Sequence, residues 1–193
     1  MNTEKLMAHL TFELDKELFA INVEKVISIL EMSHITKIPN APSYLKGVIN
    51  LRGKVLPVVS GRIKMGMPPK EPDRQTSIIV LSIWLDDKEV NVGLMVDSVH
   101  SVIEILPESV LPSPSIGDKF KTDFIIGIFN YSNAAIEKSK TDEDFLTGNI
   151  TITKASKEDE NRLIMILDID KIFSTTEIIS LSQHNETSEK IDL

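Results

Sequence analysis

The sequence predicts a mostly β protein, and three observations support this prediction. Ile and Val number 26 and 13 among the 193 residues, and β-branched side chains pack well on a pleated sheet but lose rotamer freedom in a helix. Short apolar runs bounded by turn residues recur along the chain. Segments of the first half also recur in the second half. Together these features predict small β units, arranged as barrels or as a sandwich.

Eight predicted strands follow one another along the chain. They cover residues 9–14, 18–23, 47–51, 54–59, 77–85, 89–96, 125–129 and 163–168. Most of these runs are almost continuously apolar, so we expect them to be buried on both faces or to cover a small closed core. The stretch around Val26 stays open between a strand and a helical turn that leads into one, because its apolar residues also fit one face of a helix.

The repeated segments keep their order in the two halves. Residues 21–31 align with 94–104, 44–50 with 124–130, and 55–59 with 163–167. We therefore predict one domain at 1–173 that is made of two pseudo-repeated β subdomains, at about 10–66 and 76–173. Whether strands are exchanged between the two subdomains is left open.

Two segments stand outside the repeat. A charged insertion at 132–161 falls within the second repeat, and we expect a long hairpin or a loop there. Such a charge-rich segment is typical of solvated surface, and a specificity element is the alternative. Residues 174–193 are more polar, and we expect a short helix near 177–181 followed by a loose tail.

The composition excludes several classes of function. A net charge of −8 and a pI near 5.0 argue against binding to nucleic acid, which requires clustered Lys and Arg. The absence of Cys excludes a disulfide scaffold, a thiolate zinc site and a cysteine nucleophile. No apolar run approaches the ~20 residues of a membrane span. We expect a cytoplasmic protein that does not insert into the membrane.

Catalytic motifs are missing from the sequence. The four His residues show no metal-ligand spacing, and no serine-hydrolase or nucleotide-binding motif occurs. The acidic pair Asp168 and Asp170 could hold a cation, but we favour a reading in which Asp168 caps the following turn and Asp170 is solvated. We therefore expect neither an enzyme nor a bound cofactor or metal.

The most informative stretch of the sequence is 38–59. Its Pro and Asn residues at 39–42 predict a rigid turn, and Gly47 permits a close approach of the backbone. Residues 50–54 predict a tight turn between two strands that presents Arg52 outward. By spacing alone, Arg52 is either a fixed cation for a partner or an ordinary turn arginine in a weak ion pair.

This stretch resembles the CheW family of chemotaxis coupling proteins. The resemblance rests on Pro-Asn-Ala-Pro at 39–42, on Gly-Val-Ile-Asn-Leu-Arg-Gly-Lys at 47–54 and on the Pro-Val-Val that follows. It extends from about residue 10 to 173 and takes in the Val-Gly-Leu-Met-Val-Asp run at 92–97. The insertion and the tail lie outside it.

The resemblance implies a fold of two packed five-stranded SH3-like barrels with short helices and a C-terminal helix or tail. It also implies an adaptor that couples the cytoplasmic tip of methyl-accepting chemoreceptors to the regulatory domain of the histidine kinase CheA, in arrays at the membrane. By the same resemblance the receptor docks between the barrels. The residues assigned to that contact are Val26, Ile29, Arg52, Gly93 and Val102. No residues are assigned to the kinase contact.

Two departures from the family pattern affect this reading. Ser28 stands where family members commonly carry a Glu that partners the turn arginine, so Arg52 either uses Glu31 or is left free for an acidic receptor tip. Ser60 and Gly61 replace an acidic start to the segment after the second proline strand. The alternative function is a divergent barrel protein that acts as a competitor, or as an adaptor in another chemosensory or motility pathway.

Overall fold

The computed structural model describes residues 6–85, 88–113, 124–131, 136–139, 151–152 and 162–173. The strands in this part of the chain are β1 Met7–Leu14, β2 Glu17–Asn22, β3 Val26–Glu31, β4 Leu45–Leu51, β5 Lys54–Ser60, β6 Ser77–Leu85, β7 Lys88–Val96, β8 Ser98–Ile105, β9 Ile125–Asn130, β10 Ile136–Ser139, β11 Thr151–Ile152 and β12 Leu163–Leu167. The helical segments are the 3₁₀ turns Val23–Lys25 and Pro107–Ser109, α1 Gly61–Lys64 and α2 Ile169–Ile172.

The mostly β prediction is confirmed, and all eight predicted strands are present. Each observed strand agrees with its predicted range to within two residues at either end. The stretch around Val26 that was left open is a 3₁₀ turn followed by β3. Within the insertion, β10 and β11 pair as an antiparallel hairpin. The predicted helix near 177–181 and the predicted tail lie outside the described residues.

The chain divides into two compact units, each made of two separate stretches of sequence. Unit 1 comprises Met1–Glu24 and Asp97–Asp168, and unit 2 comprises Lys25–Val96 and Ile169–Leu193. In unit 1 the strand order is β11-β10-β8-β1-β2-β12-β9, and only the β2–β12 pair is parallel. Its core cluster consists of Leu18, Ala20, Ile103, Ile105, Phe129, Tyr131, Ile164 and Ile166.

Unit 2 repeats this arrangement with other strands. Its sheet has the order β3-β6-β7-β5-β4, and again one inner pair, β5–β7, is parallel. Its core cluster consists of Ile49, Leu56, Val58, Ile78, Val80 and Met95. The equivalent strands of the two units are therefore β8 and β3, β1 and β6, β2 and β7, β12 and β5, and β9 and β4.

The structure corrects the expected barrels in one respect, because the two sheets are open. Within the described residues, the first and last strands of each sheet are not hydrogen-bonded to each other. An extended residue from the preceding connection occupies the outer edge of β4 and of β9 instead. Thr36 bridges Val48 on β4, and Leu111 bridges Ile128 on β9. These bridges use backbone groups that closure of a barrel would require.

Candidate functional site

Arg52 lies in a two-residue turn between β4 and β5, as the sequence predicts. Leu51 pairs with Lys54 across this turn, and Arg52 and Gly53 both have positive φ, at 52° and 83°. Positive φ at both central residues defines a type I′ turn, whose twist matches that of paired strands. Asn50 fixes the turn, because its Oδ1 accepts a hydrogen bond from the Gly53 amide at 2.8 Å. Arg52 is therefore held outward by local backbone geometry.

Arg52 is exposed at this turn. Among the residues that the structure describes, no ion pair is formed with Arg52, and Glu31 does not reach it. An Arg in the left-handed region costs of order 1 kcal/mol relative to a residue such as Gly. The turn thus holds a strained cation that no described residue neutralises, and it is exposed to an acidic or carbonyl partner.

Val26 and Ile29 lie on β3, which is an edge strand of the sheet in unit 2. They pair with Leu81 and Ile79 of β6, and both side chains are only partly buried. Between them the register shifts at Ile27, a bulged residue whose side chain is 51% exposed. Sequence reasoning missed Ile27, because a bulge breaks the two-residue alternation from which exposure is read.

Gly93 lies in the interior of unit 2. It pairs with Val80 on one side and with Val58 on the other, in the middle of the sheet. A Cβ at this position would lie 2.8 Å from Cγ2 of Ile78, inside the core cluster. The structure therefore gives Gly93 a packing role, and its assignment to the receptor contact stays a prediction.

Val102 belongs to unit 1 and lies on β8. It pairs with Leu10 of β1 on one side and with Lys138 of β10 on the other, so its backbone is covered on both edges. Its side chain is partly buried. Of the five predicted site residues, the structure places Val26 and Ile29 together on β3. Gly93 lies inside the same sheet, and Arg52 lies at a turn at its opposite edge.

Asp170 forms an ion pair that the sequence did not reveal. Its Oδ2 lies 2.6 Å from Nζ of Lys25, and its Oδ1 accepts a hydrogen bond from the backbone amide of Trp84 at 3.4 Å. Asp170 is therefore engaged with unit 2 rather than simply solvated. No sequence signal could have shown this, because Lys25 and Asp170 are 145 residues apart. Within the described ranges, no cluster of three or more acidic or His side chains could hold a metal ion.

Comparisons with known proteins identify the family of this chain. The family model described as CheW-like domain matches residues 8–137, which is about two thirds of the chain. The chain belongs to the CheW family. A probable chemotaxis protein CheW of Rhizobium etli is 29% identical over 168 residues, covering 87% of this chain and 88% of the relative. The chemotaxis protein CheW of Thermotoga maritima is 32% identical over 163 residues, covering 84% and 85%.

The fold is also that of a solved CheW. The crystal structure of the scaffolding protein TtCheW from Thermoanaerobacter tengcongensis matches with a TM-score of 0.64 and 26% identity, covering 90% of this chain and 96% of that one. The chain is accordingly a chemotaxis coupling adaptor. The alternative, a divergent barrel protein that acts as a competitor or as an adaptor in another chemosensory or motility pathway, is not favoured. No helix in the described part of the chain is long and apolar enough to cross a membrane.

One departure from the family pattern has a structural explanation. Ser60 ends β5 and caps α1, because its Oγ accepts a hydrogen bond from the amide of Ile63 at 3.4 Å. Serine is among the preferred N-cap residues. Ser60 therefore caps α1 without adding a negative charge there.

Proposed function

We propose that this CheW-family chain joins the cytoplasmic tip of methyl-accepting chemoreceptors to the regulatory domain of the histidine kinase CheA, in cytoplasmic arrays at the membrane. The adaptor acts through surfaces and has no catalytic role. Arg52, Val26 and Ile29 carry the receptor contact, with Val102 and Gly93 as further members of that set. The kinase contact has no assigned residues.

The observation that carries this proposal is the state of Arg52. The turn is built by Asn50 and Gly53, and it holds a cation in a conformation that costs free energy. Strain of this kind persists when the surrounding structure fixes it, and it concentrates at functional positions. The exposed guanidinium has no ion-pair partner in the described residues, so it can bind an acidic or carbonyl group at a receptor tip.

The apolar part of the contact is supplied by β3. A helix at the receptor tip would bury apolar side chains against Val26 and Ile29, as an amphipathic helix does when it lays its apolar face on a complementary surface. The exposed side chain of Ile27 adds apolar area to the same strand. Buried anchors dominate the affinity of such contacts, while Arg52 fixes the orientation of the helix.

A contact that transmits signals must also break. We expect each contact to have a dissociation constant near micromolar, which corresponds to about −8 kcal/mol. Two such contacts on one adaptor raise the stability of an array through effective concentration, without any new interaction.

The first experiment is calorimetric titration of the full chain with the CheA regulatory domain, and then of the complex with a receptor tip fragment. The test variant is Arg52→Asn, because Asn tolerates positive φ and removes the guanidinium without adding strain. The matched control is Lys54→Asn, which removes an exposed cation from the first position of β5. We expect Arg52→Asn to weaken receptor binding at least about tenfold, or ~1.4 kcal/mol, and to leave kinase binding unchanged.

Three outcomes would contradict the proposal. Absence of kinase binding would remove the coupling role. Kinase binding without receptor binding in the unsubstituted chain would indicate a competitor rather than an adaptor. Equal weakening of receptor binding by Arg52→Asn and Lys54→Asn would show that Arg52 contributes only through the net charge of the chain.

A further inference from the structure

The outer edge of β3 has no strand partner among the described residues. β3 is the terminal strand of its sheet, and its only pairing is with β6. Its first five residues, Val26 to Leu30, are uncharged, and the bulged Ile27 exposes half of its side chain. Natural proteins protect such edges with charge, with Pro or with a covering segment. β3 has a bulge but neither charge nor Pro before Glu31, so we expect a covering segment.

Unit 1 shows how this chain covers the equivalent edge. The outer side of β8 is paired with β10, a strand from the insertion in the same chain. The pairing joins Lys138 to Val102 and Ile136 to Glu104. Residues 102–104 correspond to 29–31 of β3 in the sequence repeat. The fold therefore accepts a covering segment at this position and supplies it in cis.

The chain leaves α2 beside the start of β3. β3 covers the edge of β6 only as far as Leu81, which pairs with Val26. Beyond that point Asp170 of α2 accepts a hydrogen bond from the backbone amide of Trp84 on β6. Asp170 also forms an ion pair with Lys25, the residue before β3. α2 thus continues the coverage of the β6 edge where β3 ends. Ile172 and Phe173, the last described residues, are buried.

The segment that follows is long enough to reach all of β3. Residues 174–193 come after Phe173, and β3 has only six residues. Each extended residue spans ~3.3 Å, so six residues of 182–193, after the short helix expected near 177–181, would be long enough to cover β3. The segment contains three apolar residues close together, Ile178, Ile179 and Leu181, which can pack against Ile27.

We propose that residues 174–193 return to β3 and cover its outer edge in cis, as β10 covers β8. A second copy of the chain is the competing occupant. One consequence rests on the proposed function, namely that the segment and the receptor tip compete for Val26 and Ile29. The C-terminal segment then sets the affinity of the adaptor for receptors.

The test is amide hydrogen exchange of β3 in the full chain and in a chain that ends at Phe173. We expect the outward-facing amides between Val26 and Leu30 to exchange at least about tenfold faster in the shortened chain, since they lose their cover. Amides of β7, at the centre of the sheet, should be unchanged and serve as the folding control. A full-length variant with Ile178→Ser, Ile179→Ser and Leu181→Ser should show the same loss of protection, and it does not depend on truncation.

Equal exchange of the β3 amides in all three chains would overturn the proposal. Protection that persists in the shortened chain and rises with protein concentration would assign the edge to a second copy, and would also overturn it. A receptor tip fragment is then titrated against each chain, and we expect severalfold tighter binding without the segment. Unchanged affinity despite faster exchange would overturn the competition alone. Absence of receptor binding in every chain would contradict the proposed function, and the exchange result, measured without receptor, would still stand.

Discussion

Units 1 and 2 have the same strand order but differ in the connection between two equivalent strands. In unit 2, Arg52 and Gly53 form the whole turn between β4 and β5. In unit 1 the equivalent strands β9 and β12 are joined by a long excursion that contributes β10 to the edge of β8. The connection in unit 2 is thus a short turn that presents a cation, and the connection in unit 1 contains a strand that pairs with the outer edge of β8. The same strand order is therefore combined with two different connections.

The two units also differ where their edge strands meet the preceding connection. Gly47 of β4 has φ of 140°, and an added Cβ would lie 2.2 Å from the carbonyl oxygen of Thr36. Gly127 of β9 is its counterpart, and an added Cβ would lie 2.3 Å from Cγ1 of Val110. Both glycines admit an extended segment to the sheet edge. Only Gly47 combines a backbone clash with a backbone conformation that L-residues rarely adopt.

The largest expected effect is therefore that of Gly47→Ala. We expect it to lower the free energy of unfolding by about 3 kcal/mol or more, because strain at positive φ adds to displacement of Thr36. Gly127→Ala is the matched variant and should cost about 1–2 kcal/mol, because Gly127 has no positive φ and the nearest backbone atom, the carbonyl oxygen of Leu111, lies farther away at 2.9 Å. Denaturant titration measures both. Equal losses would show that backbone conformation does not distinguish the two edges.

Gly93→Ala places in unit 2 the residue that unit 1 has at the equivalent position, Ala20. Gly93 pairs with Val80 as Ala20 pairs with Thr11, so Ala20 is its counterpart. We expect a loss of about 1–2 kcal/mol in unfolding free energy, because the added methyl group would lie 2.8 Å from Ile78. Receptor affinity of the folded protein is measured in parallel. Unchanged stability with weakened receptor binding would place Gly93 in the contact rather than in the core.

Thr11→Val gives unit 1 the residue of unit 2, since Val80 is the counterpart of Thr11. The hydroxyl of Thr11 donates to the carbonyl of Ser101 at 2.7 Å and accepts from the amide of Ser101 at 3.0 Å. These hydrogen bonds join β1 to β8 at the point where the register between the two strands shifts. We expect Thr11→Val to cost about 1–3 kcal/mol, because buried backbone groups lose their partner. If the variant has the same melting temperature as the unsubstituted chain, the hydrogen bonds of Thr11 do not stabilise the irregular register between β1 and β8.

The smallest expected effect is a pH dependence near neutrality that arises in unit 1, where His9 occupies the position of Ile78. Burial lowers the pKa of His9 below its usual value, although the hydrogen bond from Nδ1 to the carbonyl of Met7 acts in the opposite direction. The unfolded chain thus binds a proton more readily than the folded one. Unfolding free energy should fall as the pH drops below about 6.5, by at most ~1.4 kcal/mol per pH unit.

His9→Asn is the control for this prediction, because its amide can still donate to Met7 without titrating near neutral pH. Denaturant titrations between pH 5 and 7.5 should show a smaller slope for the variant. Identical slopes in the two proteins would assign the pH dependence to other groups.

The strands were predictable because local signals define them. Apolar runs bounded by turn residues predicted eight of the twelve strands found in the described residues, and Asn50 with Gly53 was sufficient to predict the turn at Arg52. The burial of Gly93 could not be predicted, because it depends on Ile78 and Val58, which reach it only through sheet pairing. The open edges depend likewise on bridges such as that of Thr36 with Val48. Local sequence specifies elements, whereas edges and neighbours follow from pairings between distant segments.

The discontinuity of unit 1 also has a consequence for the order of folding during synthesis. The sheet of unit 2 lies within residues 26–96, so all of its strands have been translated before most of unit 1 exists. The β1–β2 hairpin is made first, yet its partner β12 begins only at Leu163. At roughly 5–20 residues per second, this apolar hairpin waits on the order of ten seconds for its last neighbour. The nascent chain is therefore most exposed to aggregation at its own first two strands.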